Sequence, residues 1–352
     1  MVVGNWVEVV RTCNLQPEKR MDVVSKWLII TRACVFAITI LSAAIGGLLA
    51  ANDGHFLLGR FVLVTLALVV AHAANNMVND LFDVIHGVDT KDYHRANYAP
   101  HPILGGLITK QGLIAAIAVC NAIDLAVALY LATVCGWTVM LFAVVGLATS
   151  VFYVAPPLKL KHRGLGEPAI FLIWGPLMIG GTYFVMAGHV PEKIWLASIP
   201  YGLAITAALM GKHLDKAEKD RAKGVRTLPV VLGDVRGRKV TQLMVWGFYL
   251  LVTGLAAGGF LPKWSLLTLA TLPAASRFIE TLGATAPATP QEAFARASDV
   301  IPADLRARVR LDAPNSAYPL WPLWYVAWGM WWGRYAGAAF VLGLVIAVFT
   351  RA

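Results

Sequence analysis

"FVLVTLALVVAHAANNMVNDLFDVIHGVDT", residues 61–90, begins as a stretch fit only for lipid and ends in acids and amides. On a helix, Asn76, Asn79, Asp80 and Asp83 recur every three or four residues, so they share one face. Gly87 is placed to end that helix and turn the chain back, with Asp89 close behind. Three carboxylates and two amides make an oxygen-rich site suited to a hard cation. Carboxylates this crowded repel one another unless a cation or an arginine neutralises them. The competing reading is a polar helix end solvated at the membrane interface, and five oxygen ligands in so short a stretch weigh against it.

Composition decides the solvent. The chain has 352 residues, 58% of them hydrophobic and only 14% charged, with a mean hydropathy of +0.65. Soluble domains carry about 25% charged residues, so the chain reads as a membrane protein. Cys13, Cys34, Cys120 and Cys135 lie far apart with no CxxC pair, a pattern that predicts neither a zinc site nor a disulfide framework. Arg11, Lys19, Arg20 and Lys26 precede the first long apolar run without the layout of a cleaved signal peptide.

A window of roughly 20 residues predicts an all-α, multi-pass bundle of about nine membrane helices. They fall near 27–50, 60–82, 112–134, 137–155, 167–187, 194–212, 240–260, 264–283 and 334–350. The eighth is interrupted by Pro273 and Arg277, and "PLWPLWYVAWGMWW" before the ninth reads as an interfacial aromatic belt. With the N-terminus in the cytoplasm, all but Arg60, Lys193, Lys263 and Arg351 of the 30 Lys and Arg lie inside or at cytoplasmic helix ends. That bias sets the orientation. It also accounts for the net charge of +10 through anionic lipid headgroups, with no need of nucleic acid. One domain, residues 1–352, is expected, and its polar stretch at about 284–320 reads as a soluble excursion.

Among the cytoplasmic loops, "GKHLDKAEKDRAKGVRTLPVVLG", residues 211–233, is the most charged. Asp215, Glu218 and Asp220 alternate there with Lys212, Lys216, Lys219, Arg221, Lys223 and Arg226. Alone, such a segment is a salt-bridged solvated helix. Beside the first acidic cluster it suggests metal-bridged diphosphate binding, because acids hold Mg²⁺ while Lys and Arg grip phosphate oxygens. A diphosphate at a membrane surface implies a lipid diphosphate. Ionising its allylic C–O bond needs a Lewis acid and basic donors for the leaving group. Aromatic faces such as Phe82, Phe152, Tyr153 or Trp174 are candidates to stabilise the carbocation.

Three motifs now carry a family resemblance. "NDLFDVIHGVDT" with Asn76 upstream, "YVAPPLKLKHRGLGE" (153–167) and "DRAKGVRTLPVVLG" (220–233) resemble those of the UbiA superfamily of intramembrane prenyltransferases. The first motif is most similar to the dihydroxynaphthoate, or menaquinone, branch. The resemblance implies a helical bundle with a cavity capped on the cytoplasmic side. It also implies Mg²⁺-dependent transfer of a prenyl group from a polyprenyl diphosphate to a small acceptor, commonly aromatic. Carried over, Asn76, Asn79, Asp80, Asp83 and Asp89 form the first metal-diphosphate motif, and Asp220 matches the last acid of the second. Lys216 stands where the family usually has an acid, and Asp215 is displaced by one. Either Asp215 serves through a shifted helix turn, or Lys216 meets the diphosphate and fewer metals bind. Asp80, Asp83 and Asp220 are then the central catalytic acids, and Arg95, Lys159, Lys161, Lys212, Lys216 and Arg226 the phosphate contacts.

Two other readings accompany this one. A terpene cyclase, or a transferase to a sugar or glycerol phosphate, shares the ionisation step but needs other acceptor contacts. A cation-coupled transporter places its acids near the midplane of interrupted helices, whereas these acids sit at helix ends. His72 is a candidate acceptor-side base or a packing histidine, and His86, His94, His101 and His162 read as surface residues. The expected setting is the plasma membrane of a bacterium, with the site facing the cytoplasm.

Overall fold

In lipid the backbone has no partner but itself, so long apolar runs must wind into helices. The computed structural model describes residues 2–16, 18–90, 99–301, 306 and 320–350, and no β-strand occurs among them. Arg95 lies outside the described residues. Seven helices are long and apolar enough to cross a membrane. They are α3 with the turn before it (Ala33–Asn52), α4 (Leu58–Ile85), α5 (Lys110–Cys135), α7 (Gly166–Ala187), α8 (Glu192–Ala222), α10 (Asp234–Ala257) and α13 (Trp324–Phe349). Helix α6 (Thr138–Val154) is apolar but only 17 residues long. The segment expected as the eighth span divides into a 3-10 stretch, Lys263–Thr271, and α11, Leu272–Gly283, with the break beside Pro273. Length and composition thus mark seven such helices among the described residues, on an all-helical membrane fold.

Shorter helices fill the ends: α1 (Val2–Thr12), α2 (Val23–Ile30), α9 (Leu228–Leu232) and α12 (Pro290–Ala297). Helix α1 folds back on α2, where Trp6 donates its indole N–H to Asp22 at 2.9 Å. The same hairpin joins Cys13 and Cys34 in a disulfide with Cα atoms 5.2 Å apart. The expectation that the cysteines form no disulfide is corrected there: the pairing depends on a tertiary fold-back that spacing does not show.

Helix α8 is the hub, packing on α7, α10 and α13. Close approach is bought by small residues. A Cβ on Gly175 of α7 would lie 3.1 Å from the Cα of Gly202 on α8, and one on Gly211 2.9 Å from the backbone of Tyr325. Within α7, residues Ile173–Gly180 are wound as a π-helix containing Pro176, and Ser42 donates to the Trp174 carbonyl there at 2.8 Å.

Two further expectations are corrected. The Trp-rich segment is not mainly an interfacial belt but the first turns of α13. Trp324, Trp328 and Trp332, spaced by four, form one buried stripe with exposures of 4%, 3% and 0%. Nor is the described part of the polar stretch a soluble excursion. Ala293, Ala297 and Ile301 join the main hydrophobic core, because α12 turns an alanine face inward.

Candidate active site at the ends of α4 and α8

Helix α4 ends at Ile85, and Gly87 takes a left-handed conformation (φ +68°). The amides of Val88 and Asp89 then both donate to the Asp83 carbonyl, at 2.8 and 3.0 Å. This turn folds Asp89 back over the helix end. Asn76, Asp80, Asp83 and Asp89 are all buried, and Asn79 is half-buried. Buried carboxylates need partners, and each has a basic side chain nearby. Arg32, itself held left-handed (φ 55°) in the turn between α2 and α3, pairs with Asp80. Lys161 contacts both oxygens of Asp83, at 2.7 and 2.9 Å. His101 Nε2 lies 3.2 Å from Asp89 and 3.8 Å from Asp80. Asn76 instead donates to the Thr31 carbonyl at 3.0 Å, tying α4 to the end of α2.

Ligand atoms of Asp80, Asp89 and His101 lie within 4.8 Å of one another, a spacing that could hold a metal ion. The donor chemistry fits a hard divalent cation, with one imidazole beside oxygen ligands. Asn79 Oδ1 and Asp89 Oδ1 are buried with no hydrogen-bond partner among the described residues, so further oxygens are available. Burial would raise the Asp89 carboxyl, but the His101 hydrogen bond and the charges of Lys216 and Lys161 hold it well below the usual carboxylate range. Burial likewise works against charge on Lys161, yet Asp83 and Asp220 outweigh it and keep the ammonium above its ordinary pKa.

The second helix end behaves differently. Asp220 is wholly buried, 3.9 Å from Lys216 one turn earlier. Asp215 does not join them: it accepts from the backbone N–H groups of Tyr325 and Val326 at 2.9 and 3.0 Å, capping the N-terminus of α13. Lys212 and Lys216 do join, lining a small crevice with Arg32, Asn79, Asp83, Asp89, Tyr153, Lys161 and His213. Lys159 is half-buried beside the crevice, and Arg226 is exposed next to Arg163; neither lines it.

Sequence reading missed three residues. Arg32 lies outside every motif. His101, expected at the surface, is 2% exposed. His213 pairs with Glu167 at 2.5 Å, and Glu167 also accepts from the Leu228 amide at 3.1 Å, so one carboxylate joins α7, α8 and the start of α9. The acid of "GLGE" following the basic 159–163 run was the one available signal for the last.

Below the crevice lies a cavity of about 590 Å³, which shares Arg32, Asn79, Tyr153 and Lys212 with it. A second cavity of about 250 Å³ with largely apolar walls adjoins through His72, Asn75, Ile173 and Trp174. At that neck Thr39 Oγ1 is 2.8 Å from His72 Nδ1 and accepts from the Trp174 indole at 3.2 Å. A charged crevice thus opens onto a long space suited to hydrocarbon.

The model of the UbiA prenyltransferase family matches residues 40–298. The 2-carboxy-1,4-naphthoquinone phytyltransferase of Synechocystis is 26% identical over 260 residues, 73% of this chain and 82% of its own length. The UbiA prenyltransferase domain-containing protein 1 homolog of Drosophila melanogaster is 27% identical over 63% of this chain, which spans 60% of that relative's length. Among solved structures, a UbiA homolog from Archaeoglobus fulgidus bound to GPP and Mg²⁺ superposes with a TM-score of 0.56 at 16% identity, covering 92% of this chain and all of that one. A digeranylgeranylglyceryl phosphate synthase shares the fold with a TM-score of 0.54 at 16% identity, over 93% of this chain and 100% of its own. The chain belongs to the UbiA prenyltransferase family.

Proposed function

We propose that this protein transfers a prenyl group from a polyprenyl diphosphate to a small aromatic acceptor of quinone-precursor type, with Mg²⁺ as cofactor. One observation carries the reading: acids at the end of α4 meet bases from the end of α8 and from the 159–163 run in a crevice that opens onto a largely apolar cavity. Asp80, Asp89, His101 and Asn79 are the groups to hold a cation, with Asp83 and Asp220 beside them. When bound, Mg²⁺ supplies a Lewis acid for the departing diphosphate. Lys161, Lys212, Lys216 and Arg32 bind and orient the diphosphate oxygens. Each base that now neutralises an acid exchanges that partner for phosphate when the acid takes the metal. Tyr153 and Trp174 offer aromatic faces to the allylic cation. Asp215 is left out of the metal set, since its oxygens already cap α13. Arg95, Lys159 and Arg226 remain outlying phosphate contacts.

The naphthoquinone relative supports an aromatic acceptor, as do the indole walls of the larger cavity. Chain-wide, we read residues 1–352 as one intramembrane unit whose N-terminus and crevice face the cytoplasm of a bacterial cell. The short α6 and the divided 263–283 segment complete nine passes. The test uses purified protein in lipid, labelled prenyl diphosphates of several lengths, and Mg²⁺ or EDTA. Its acceptors are dihydroxynaphthoate, 4-hydroxybenzoate and none. Labelled acceptor that requires Mg²⁺ and disappears in Asp80→Ala supports the reading. Product without acceptor would replace it with a cyclase, and no turnover of any diphosphate would end it.

A further inference from the structure

One acid inside a membrane-spanning helix has no part in the diphosphate site. Asp124 lies midway along α5, about 21 Å of helix from Lys110. An acid at that depth is costly and marks a partner or a function. Its Oδ1 is buried with no hydrogen-bond partner among the described residues. The side chain lines the smaller cavity, where no other Asp or Glu, and no Lys or Arg, joins it among the described residues. The χ2 torsion of an aspartate is soft, so either oxygen can turn toward a guest in that space.

The smaller cavity is polar at one end and apolar at the other. Helix α5 runs antiparallel to α4, since Leu113 near its start packs with Met77 and Leu81 near the end of α4. Distance from the diphosphate crevice therefore grows as residue numbers fall along α4 and rise along α5. At the near end stand His72 and Asn75 of α4, Asn121 and Asp124 of α5, and Ser150 of α6, one turn before the crevice residue Tyr153. Ser150 donates to Asn75 Oδ1 at 2.8 Å, which leaves the Asn75 amide N–H groups as donors. Beyond them Thr182 is the one hydroxyl in a lining of residues such as Val64, Leu68, Leu131, Val139 and Val185. From Asn75 to Val64 is about 16 Å of helix.

A hydroxyl group suits the near end, because it donates to a carboxyl oxygen and accepts from a carboxamide. A phosphate or carboxylate head would find no Lys or Arg there and would lie buried and unpaired. A hydrocarbon tail suits the far end. We propose that the smaller cavity is a second lipid site, taking a neutral prenyl lipid by its hydroxyl head, with Asp124 accepting the hydroxyl hydrogen bond and the tail pointing away from the crevice. Two molecules have this chemistry: a prenylated phenol, the product of the transfer proposed above, and a free polyprenol. Only the first of these sources rests on that reading.

Binding tests the site without turnover, which keeps its failure distinct from failure of the transfer. Labelled 2-farnesylphenol, farnesol, the methyl ether of each and farnesyl thiolodiphosphate are equilibrated with nanodiscs holding wild type, Asp124→Leu or Asp124→Asn, and with empty nanodiscs. Wild type is expected to bind at least one hydroxyl lipid about five- to tenfold more tightly than its ether, the scale of one hydrogen bond at a buried group. The tighter of the two alcohols names the source. Asp124→Leu is expected to erase the preference while holding the ethers as wild type does, and Asp124→Asn to keep part of it. The thiolodiphosphate, which belongs to the crevice, should bind all three proteins equally. Equal binding of alcohol and ether, or a preference that survives in Asp124→Leu, overturns the proposal. So does loss of thiolodiphosphate binding in folded Asp124→Leu, which would make Asp124 a structural support of the crevice. Should Asp124→Leu fail to fold, the wild-type preference and the Asp124→Asn response decide. A wild type that binds the alcohols but no thiolodiphosphate counts against the transfer and supports the site.

Discussion

The ends of α4 and α8 begin from the same ingredients, acids at helical spacing near the membrane surface, and use them differently. On α4, Asp80 and Asp83 turn inward and the Gly87 turn adds Asp89. On α8, only Asp220 does so, and the inward position one turn earlier belongs to Lys216. Successive helix residues are rotated by about 100°. Lys216, four before Asp220, therefore lies nearly above it, whereas Asp215 lies about 140° away. That rotation sends the Asp215 carboxylate to the N-terminus of α13, where two backbone N–H groups await a partner. A shift of one residue thus converts a metal-type acid into a helix cap.

Breaking the α4 end should cost most. Asp80→Ala removes the carboxylate next to Asp89 and His101 and its ion pair with Arg32. A fall in kcat/KM of about 10²–10³-fold is expected, the scale of losing one preorganised charged group at a reacting centre, read in the labelled-prenyl assay. Next comes Lys216→Ala, which tests whether α8 contributes a cation where the resembled motif leads one to expect an acid. The KM for prenyl diphosphate should rise about tenfold, the worth of one charge-assisted contact, with kcat changed less. A rise confined to the Mg²⁺ requirement would instead show that Lys216 acts only by holding Asp220.

Asp215→Ala should separate the two helix ends most sharply. Loss of a cap costs about 0.5–2 kcal/mol, so the melting temperature should drop by several degrees. Activity per folded molecule should stay within about twofold, since single functional contacts are worth more than that. A thousandfold loss of activity without a change in melting would return Asp215 to the metal site.

The smallest effect concerns His162 beside Lys161. Burial first, then the Lys161 charge, lowers its pKa from 6.5 to about 4. The folded protein therefore keeps His162 neutral while the unfolded chain takes up a proton below 6.5. Its contribution to stability is present above pH 6.5 and is lost as pH falls toward 4. Replacing it by Asn should flatten that part of the melting-temperature profile, by less than the Asp215 effect because the side chain is partly exposed.

Much of this was legible in the chain. Helical spacing put Asn76, Asp80 and Asp83 on one face, and Gly87 announced the turn. The helical membrane class followed from the apolar runs. What spacing could not show was depth and partnership. His101 and Arg32 sit in ordinary loop contexts, and only the fold brings them to Asp89 and Asp80. The cap at Asp215 likewise depends on where α13 arrives, more than a hundred residues later. Two misreadings had readable signals. Trp324, Trp328 and Trp332 are spaced for a single buried stripe. The "TPQE" start of α12 has a Thr cap, with Thr289 accepting from the Glu292 amide at 3.2 Å.

The most direct test of the account is binding of an unreactive prenyl thiolodiphosphate in the presence of Mn²⁺, followed by the electron paramagnetic resonance of the metal. Wild type and folded Asp215→Ala should bind the analogue only with Mn²⁺ and show a shared metal signal, while Asp80→Ala shows neither. Metal-dependent binding that survives in Asp80→Ala, or is lost in folded Asp215→Ala, would contradict the division of labour between the two helix ends.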